Sequence, residues 1–149
     1  MRVIVNAVFL FGVVLPMAAL AAVMSTPEAA IKALEAAYIS KDLDAALAAK
    51  DFQEEARLML TNINPELSND PSIVKQTAEV LELGFKKEIK DKGFPDFKAL
   101  KCTLSAPIKL SATLVRVHES CLFTDGGTSE QDLYVFKSAN GWRVVNVPG

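Results

Sequence analysis

The sequence predicts an α+β fold, in which amino-terminal helices pack on a four-stranded antiparallel sheet. Residues 26–92 place apolar side chains at helical spacing, whereas residues 97–147 are rich in β-branched and apolar residues. The two kinds of segment follow one another in blocks and do not alternate. This order favours a sheet with helices on one side over a doubly wound parallel sheet.

Polar caps mark the start of each predicted helix. The predicted caps are Thr26, Asp42, Asp51 and Asp70. Pro27 suits the first helical position, and the Asn-, Ser- and Pro-containing segment 62–70 predicts a loop before the longest helix. That helix is expected to end at Gly93, since Pro95 blocks its continuation.

Turn-forming residues separate the predicted strands. The strands are expected at residues 97–104, 108–123, 133–137 and 142–147. Asp125-Gly126-Gly127 and Asn140-Gly141 predict two hairpin turns, because Gly and Asn tolerate positive φ values.

The first 21 residues predict a secretory signal peptide. Arg2 precedes an apolar run that ends in Ala19-Leu20-Ala21, so cleavage is expected before Ala22. The alternative is an uncleaved membrane anchor, since about 20 apolar residues can span a bilayer. We expect one mature domain, residues 22–149, in the periplasm or secreted, with no membrane contact beyond the leader.

The two cysteines predict one disulfide bond. Cys102 and Cys121 both remain after cleavage, and an even pair in an oxidising compartment most often forms a disulfide rather than two free thiols. Two cysteines and one histidine are too few soft ligands for closed zinc coordination. We therefore expect no metal and no cofactor.

Two segments carry a family resemblance. Residues 29–48 have the form of two Ala-rich helices around Lys41-Asp42-Leu43-Asp44, and residues 134–145 form a predicted hairpin with Gly141-Trp142 at its final strand. Both resemble the nuclear transport factor 2-like superfamily. The resemblance implies a cone-like domain with a curved sheet, a pocket between sheet and helices, and a homodimer through the open sheet face. It does not imply one chemistry, since relatives include isomerases, dehydratases, ligand binders and immunity proteins.

The candidate site residues lie on the second predicted strand and the strand after it. Arg116 and His118 share one strand face, whereas Glu119 lies on the other. If the first face is inward, Arg116 and His118 enter the pocket, together with Tyr134. If the second face is inward, Glu119 is the buried acid. His118 and Glu119 are the candidate catalytic residues; the simpler interpretation places Arg116 and His118 on a solvated face.

Three functions are compatible with these sequence features. The first is an exported non-enzymatic protein that binds another protein, in its sharpest form an immunity protein against a periplasmic toxin. The second is a binder of a small apolar molecule in the pocket, and the third is a lyase- or isomerase-like enzyme. Nucleic acid is not an expected partner, since the net charge is −2.

Overall fold

The computed structural model describes residues 24–95 and 99–148. The helices are α1 (Pro27–Ser40), α2 (Leu43–Ala49), α3 (Phe52–Ile63) and α4 (Pro71–Lys92), with a 3₁₀ turn at Leu67–Asn69. The strands are β1 (Ala99–Leu104), β2 (Ile108–Lys109), β3 (Leu114–Phe123), β4 (Thr128–Ser138) and β5 (Gly141–Val145). The predicted signal peptide, residues 1–21, lies outside the described residues, as does the start of the first predicted strand at 97–98.

The predicted caps are confirmed, because each cap side chain accepts a hydrogen bond from the first turn of its helix. The oxygen-to-nitrogen distances are 3.1 Å from Thr26 to Ala29, 2.9 Å from Asp42 to Ala45, 2.9 Å from Asp51 to Glu54 and 2.8 Å from Asp70 to Ser72. These bonds supply partners for amides that have none within the helix. The caps therefore fix where each helix begins.

The sheet is antiparallel, in the order β1-β3-β4-β5, and it curls into the cone-like half-barrel that the sequence predicts. The short strand β2 pairs with β3, so the predicted segment 108–123 folds back on itself between residues 110 and 113. Gly126 (φ 84°) and Gly141 (φ 98°) occupy the two predicted hairpin turns. Both adopt the left-handed conformation that glycine tolerates best.

Helix α1 packs against the inner face of the sheet and forms the main core. The buried members of this core are Ala30, Ile31, Val115, Val117, Val135 and Val144. A second core, of Ala56, Leu60, Val74 and Ala78, lies between α3 and α4. The inner face of β3 is therefore the one that carries Val115, Val117, Glu119 and Cys121, because it is the more apolar of the two.

The predicted disulfide between Cys102 and Cys121 is confirmed. The two residues lie directly opposite each other on β1 and β3, on the inner face of the sheet. A disulfide fits an oxidising, exported location. Among residues 24–95 and 99–148, no helix is both long and apolar enough to cross a membrane.

A buried ion pair joins the corner between α2 and α3 to the end of the sheet. Lys50 Nζ lies 2.7 Å from Glu55 Oε1, and the two side chains are 4 % and 6 % exposed. The same oxygen accepts a hydrogen bond of 2.9 Å from the amide of Asn146. The Lys50 ammonium also lies 5.5 and 5.7 Å from the ring centres of Phe52 and Phe85. The Glu55 carboxylate thus connects the corner between α2 and α3 with the carboxyl-terminal segment.

Candidate functional site

A small, mainly apolar cavity lies between α1 and the inner face of the sheet. Its volume is about 60 Å³, and it is partly open to solvent. It is lined by Ile31, Leu34, Glu35 and Tyr38 of α1, Glu119 of β3, Gln131 and Leu133 of β4, and Val144 of β5. Small-molecule sites usually measure about 300–1,000 Å³. This cavity is therefore smaller than a typical small-molecule site.

Glu119 is the buried acid in this cavity. The residue is 2 % exposed, and its Oε2 accepts a hydrogen bond of 2.5 Å from Gln131 Nε2. Its other oxygen, Oε1, is buried and has no hydrogen-bond partner, and the same holds for Oε1 of Glu35. A buried acceptor without a donor costs about 1–3 kcal/mol. These two oxygens therefore need a donor, which a shared proton or a cation can provide.

Glu35 supplies the shared proton. The pKa of Glu35 is raised to about 7, chiefly by burial and then by a hydrogen bond with Glu119 and by the charge of Glu119, against a lowering effect of Lys32. Two neighbouring carboxylates resist double ionisation, so one proton is retained more strongly than by either acid alone. A protonated Glu35 can donate to Glu119, which gives an acid–carboxylate pair of a half-buried and a buried residue.

The disulfide lies beside this pair. The Cys102 and Cys121 sulfurs and a Glu119 carboxylate oxygen all lie within 4.8 Å of one another. Cysteine binds metal as the thiolate, and both sulfurs here are joined in the disulfide. In the oxidised protein the two sulfurs are therefore not free to bind a metal.

Three of the predicted site residues lie on the opposite, outer face of the sheet. Arg116 and His118 alternate with Glu119 along β3, and Tyr134 pairs with Arg116 across β3 and β4. The Arg116 and His118 side chains are 39 % and 47 % exposed. Asp132 contacts both side chains: its Oδ2 lies 3.4 Å from Arg116 Nη1, and its Oδ1 lies 2.9 Å from His118 Nδ1.

The geometry places the three expected pocket residues outside this cavity. Arg116, His118 and Tyr134 do not line the cavity, because the apolar alternation of β3 turns Glu119 inward and the other two β3 residues outward. Of the two candidate catalytic residues, the structure brings Glu119 to the cavity and leaves His118 at the surface. Sequence reasoning missed Glu35, although it follows Ile31 by four positions and so shares the inward stripe of α1.

Stability is expected to fall as pH rises through the titration range of Glu35. The folded pKa of about 7 lies above the ordinary value of 4.5. The retained proton therefore stabilises the fold fully below pH 4.5, and this contribution is lost as pH rises towards 7. Urea unfolding between pH 5 and pH 8 should show the decline, and Glu35→Gln should flatten it, because its amide can donate to Glu119 at every pH.

Glu79→Gln is the matched control for this experiment. Glu79 lies on α4 with a 62 % exposed side chain, and it approaches Lys75 at 3.9 Å. This variant should keep the pH dependence of the original chain. A pH profile of Glu35→Gln as steep as that of the original chain would show that Glu35 does not hold the proton.

The fold is similar to that of a solved bacterial structure. A crystal structure from Campylobacter jejuni, described as a "Putative NTF2-like transpeptidase", is 14 % identical, with a TM-score of 0.45. The match covers 82 % of this chain and 99 % of that one. No protein-family model and no curated protein matches the sequence.

Proposed function

We propose that this chain is an exported, non-enzymatic protein that binds another protein. The observation that carries the proposal is the contrast between the small volume of the cavity beside Glu119 and an exposed outer sheet face. The cavity of about 60 Å³ is too small to enclose a typical ligand. The outer face, in contrast, presents Arg116, His118 and Tyr134 at the centre of the sheet.

The composition of the outer face suits a protein partner. Leu122 and Ile108, which are 45 % and 50 % exposed, lie on β3 and β2 at its margin. Charged groups stand beside them, since Glu130 Oε2 approaches His118 Nε2 at 3.9 Å. Arginine and aromatic residues are enriched at protein interfaces, and charged groups favour correct orientation of the partner. The residues predicted for a pocket therefore become candidates for partner contact.

The narrower form of the proposal is an immunity protein that neutralises a toxin in the periplasm. The predicted leader, the small size and the disulfide suit a stable exported domain. The proposed family is the nuclear transport factor 2-like superfamily, supported by the order of helices before a curled antiparallel sheet. A homodimer through the same outer face is the competing use of this surface.

The enzyme alternative has one observation in its favour, the buried Glu119 within the cavity. A general base must reach the proton that it abstracts from a bound substrate. The present cavity holds a few water-sized groups beside Glu119, which leaves no room to enclose a substrate of ordinary size. The binding function is therefore the better supported of the two.

The test is recovery of a partner from periplasmic extract, with the full chain carrying a carboxyl-terminal tag as bait. We expect one stoichiometric protein partner. The double variant Arg116→Ala/His118→Ala should weaken its binding about ten-fold or more, since interface arginines often contribute over 1.4 kcal/mol.

The matched control is Lys75→Ala. Lys75 lies on helix α4, outside the sheet, and its side chain is 70 % exposed. This variant should retain the partner at the original affinity. Equal retention by the double variant would remove the outer face from the proposal. Recovery of a second copy of this chain, with no other protein, would assign the face to a homodimer.

A further inference from the structure

The carboxyl pair in the cavity is an electrostatically incomplete site. Glu119 is almost fully buried, its Oε1 has no partner, and it lines the same cavity as Glu35. Even with one shared proton, the pair keeps one negative charge in a mainly apolar space. Buried charges in proteins are ordinarily paired, because an unpaired one loses its hydration without compensation. Lys32 acts on Glu35 as a nearby positive charge, but it does not line the cavity.

The remaining walls define what kind of cation fits. Ile31, Leu34, Leu133 and Val144 provide aliphatic contacts, and Tyr38 provides an aromatic ring. One water-sized group needs about 10–15 Å³ of such space, so about 60 Å³ accepts an ammonium group and a short methylene chain. Aliphatic walls suit the methylenes, and an aromatic ring attracts an organic cation.

We propose that this cavity binds a primary alkylammonium group, with Glu35 and Glu119 as its charge partners. When Glu35 is ionised, the ammonium donates to the Oε1 atoms of Glu35 and Glu119 in place of the shared proton, and the alkyl chain lies along the aliphatic walls towards Tyr38. This site does not depend on the protein-binding proposal above.

A hard metal ion fits the cavity less well. Calcium takes six to eight oxygen ligands, and magnesium needs octahedral coordination and keeps several waters. The cavity offers the carboxyl groups of Glu35 and Glu119 and the amide of Gln131 among aliphatic side chains. An ammonium group needs three acceptors at most, which this set supplies.

The direct test is an NMR titration of the full chain with n-butylammonium chloride at pH 8, with sodium chloride in the reference sample at equal ionic strength. We expect saturable shifts of the amide signals around Glu35 and Glu119. Binding should weaken at pH 5, because Glu35, whose pKa is about 7, is then protonated while the amine stays charged. Neutral n-butanol should bind at least ten-fold more weakly, since it lacks the charge.

Two variants separate the site from non-specific binding. Glu35→Gln and Glu119→Gln should each reduce affinity roughly ten- to hundred-fold, the loss expected for a hydrogen bond to a charged group. Glu79→Gln should bind as the original chain does. If Glu119→Gln does not fold, Glu35→Gln and the comparison of pH 5 with pH 8 still test the proposed ammonium site. Absence of saturation at pH 8, or equal binding by Glu35→Gln, would overturn the proposal.

A second probe distinguishes the source of the ammonium group. Nα-acetyl-lysine amide carries the same head group on a peptide-like backbone. Binding comparable to that of n-butylammonium would show that the site admits a lysine of a protein partner. Binding of n-butylammonium alone would restrict it to a free small amine. Because both probes are used without extract, failure here and failure of partner recovery are separate results.

Discussion

Glu55→Ala should lower the free energy of unfolding by about 3–5 kcal/mol, the cost typical of removing one partner from a buried ion pair. The change leaves the Lys50 ammonium buried with no carboxylate, although the Phe52 and Phe85 rings still face it. It also removes the acceptor of the Asn146 amide. Urea unfolding at neutral pH measures the effect, and the urea midpoint should fall without a change in slope.

Glu55→Gln isolates the contribution of the charge. Its side-chain carbonyl can still accept from Lys50 and Asn146, so its loss should be smaller than that of the alanine variant. Glu79→Ala, on the exposed face of α4, should cost less than about 1 kcal/mol. A Glu55→Ala variant as stable as Glu79→Ala would show that this carboxylate does not secure the corner.

The elements of this fold could be predicted from the sequence because their signals are local. Asp70 and Gly93 bound α4 through hydrogen bonds within a few residues of each end. Asn140-Gly141 likewise sets the β4–β5 turn through its own backbone preference. Such signals need no knowledge of the rest of the chain.

The site could be predicted only in part, because its burial depends on distant segments. The sequence allowed either face of β3 to be inward, and packing against α1 selected the face with Glu119. No local sequence signal distinguishes Glu35 from the other acidic residues of the helices. Its position becomes distinctive only when β3 and β4 pack beside α1. The buried Lys50 pairs with Glu55, which also accepts a hydrogen bond from the amide of Asn146, a residue 91 positions further along the chain. Long-range contacts of this kind leave no local pattern.

Removal of the disulfide should produce the second large change in the free energy of unfolding. Cys102→Ala/Cys121→Ala should lower the free energy of unfolding by about 3 kcal/mol, the value expected for a loop of this length. The bond spans 19 positions, and it restrains the unfolded chain more than it adds contacts to the folded one. Urea unfolding of the double variant and of the original chain at pH 5 measures the loss. A difference below about 1 kcal/mol would show that the loop closure contributes little.

The same variant also tests whether the disulfide supports the carboxyl pair. The two sulfurs and a Glu119 oxygen lie within 4.8 Å of one another. Replacing both cysteines with alanine therefore opens space beside the Glu119 carboxyl group. If the bond acts through the unfolded chain alone, the loss should be equal at pH 5 and pH 8. If it also excludes water from the pair, the loss should be greater at pH 5, because water entry lowers the pKa of Glu35 and weakens the benefit of its proton. Combining the cysteine changes with Glu35→Gln should then remove the pH-dependent part, which a double-mutant cycle measures directly.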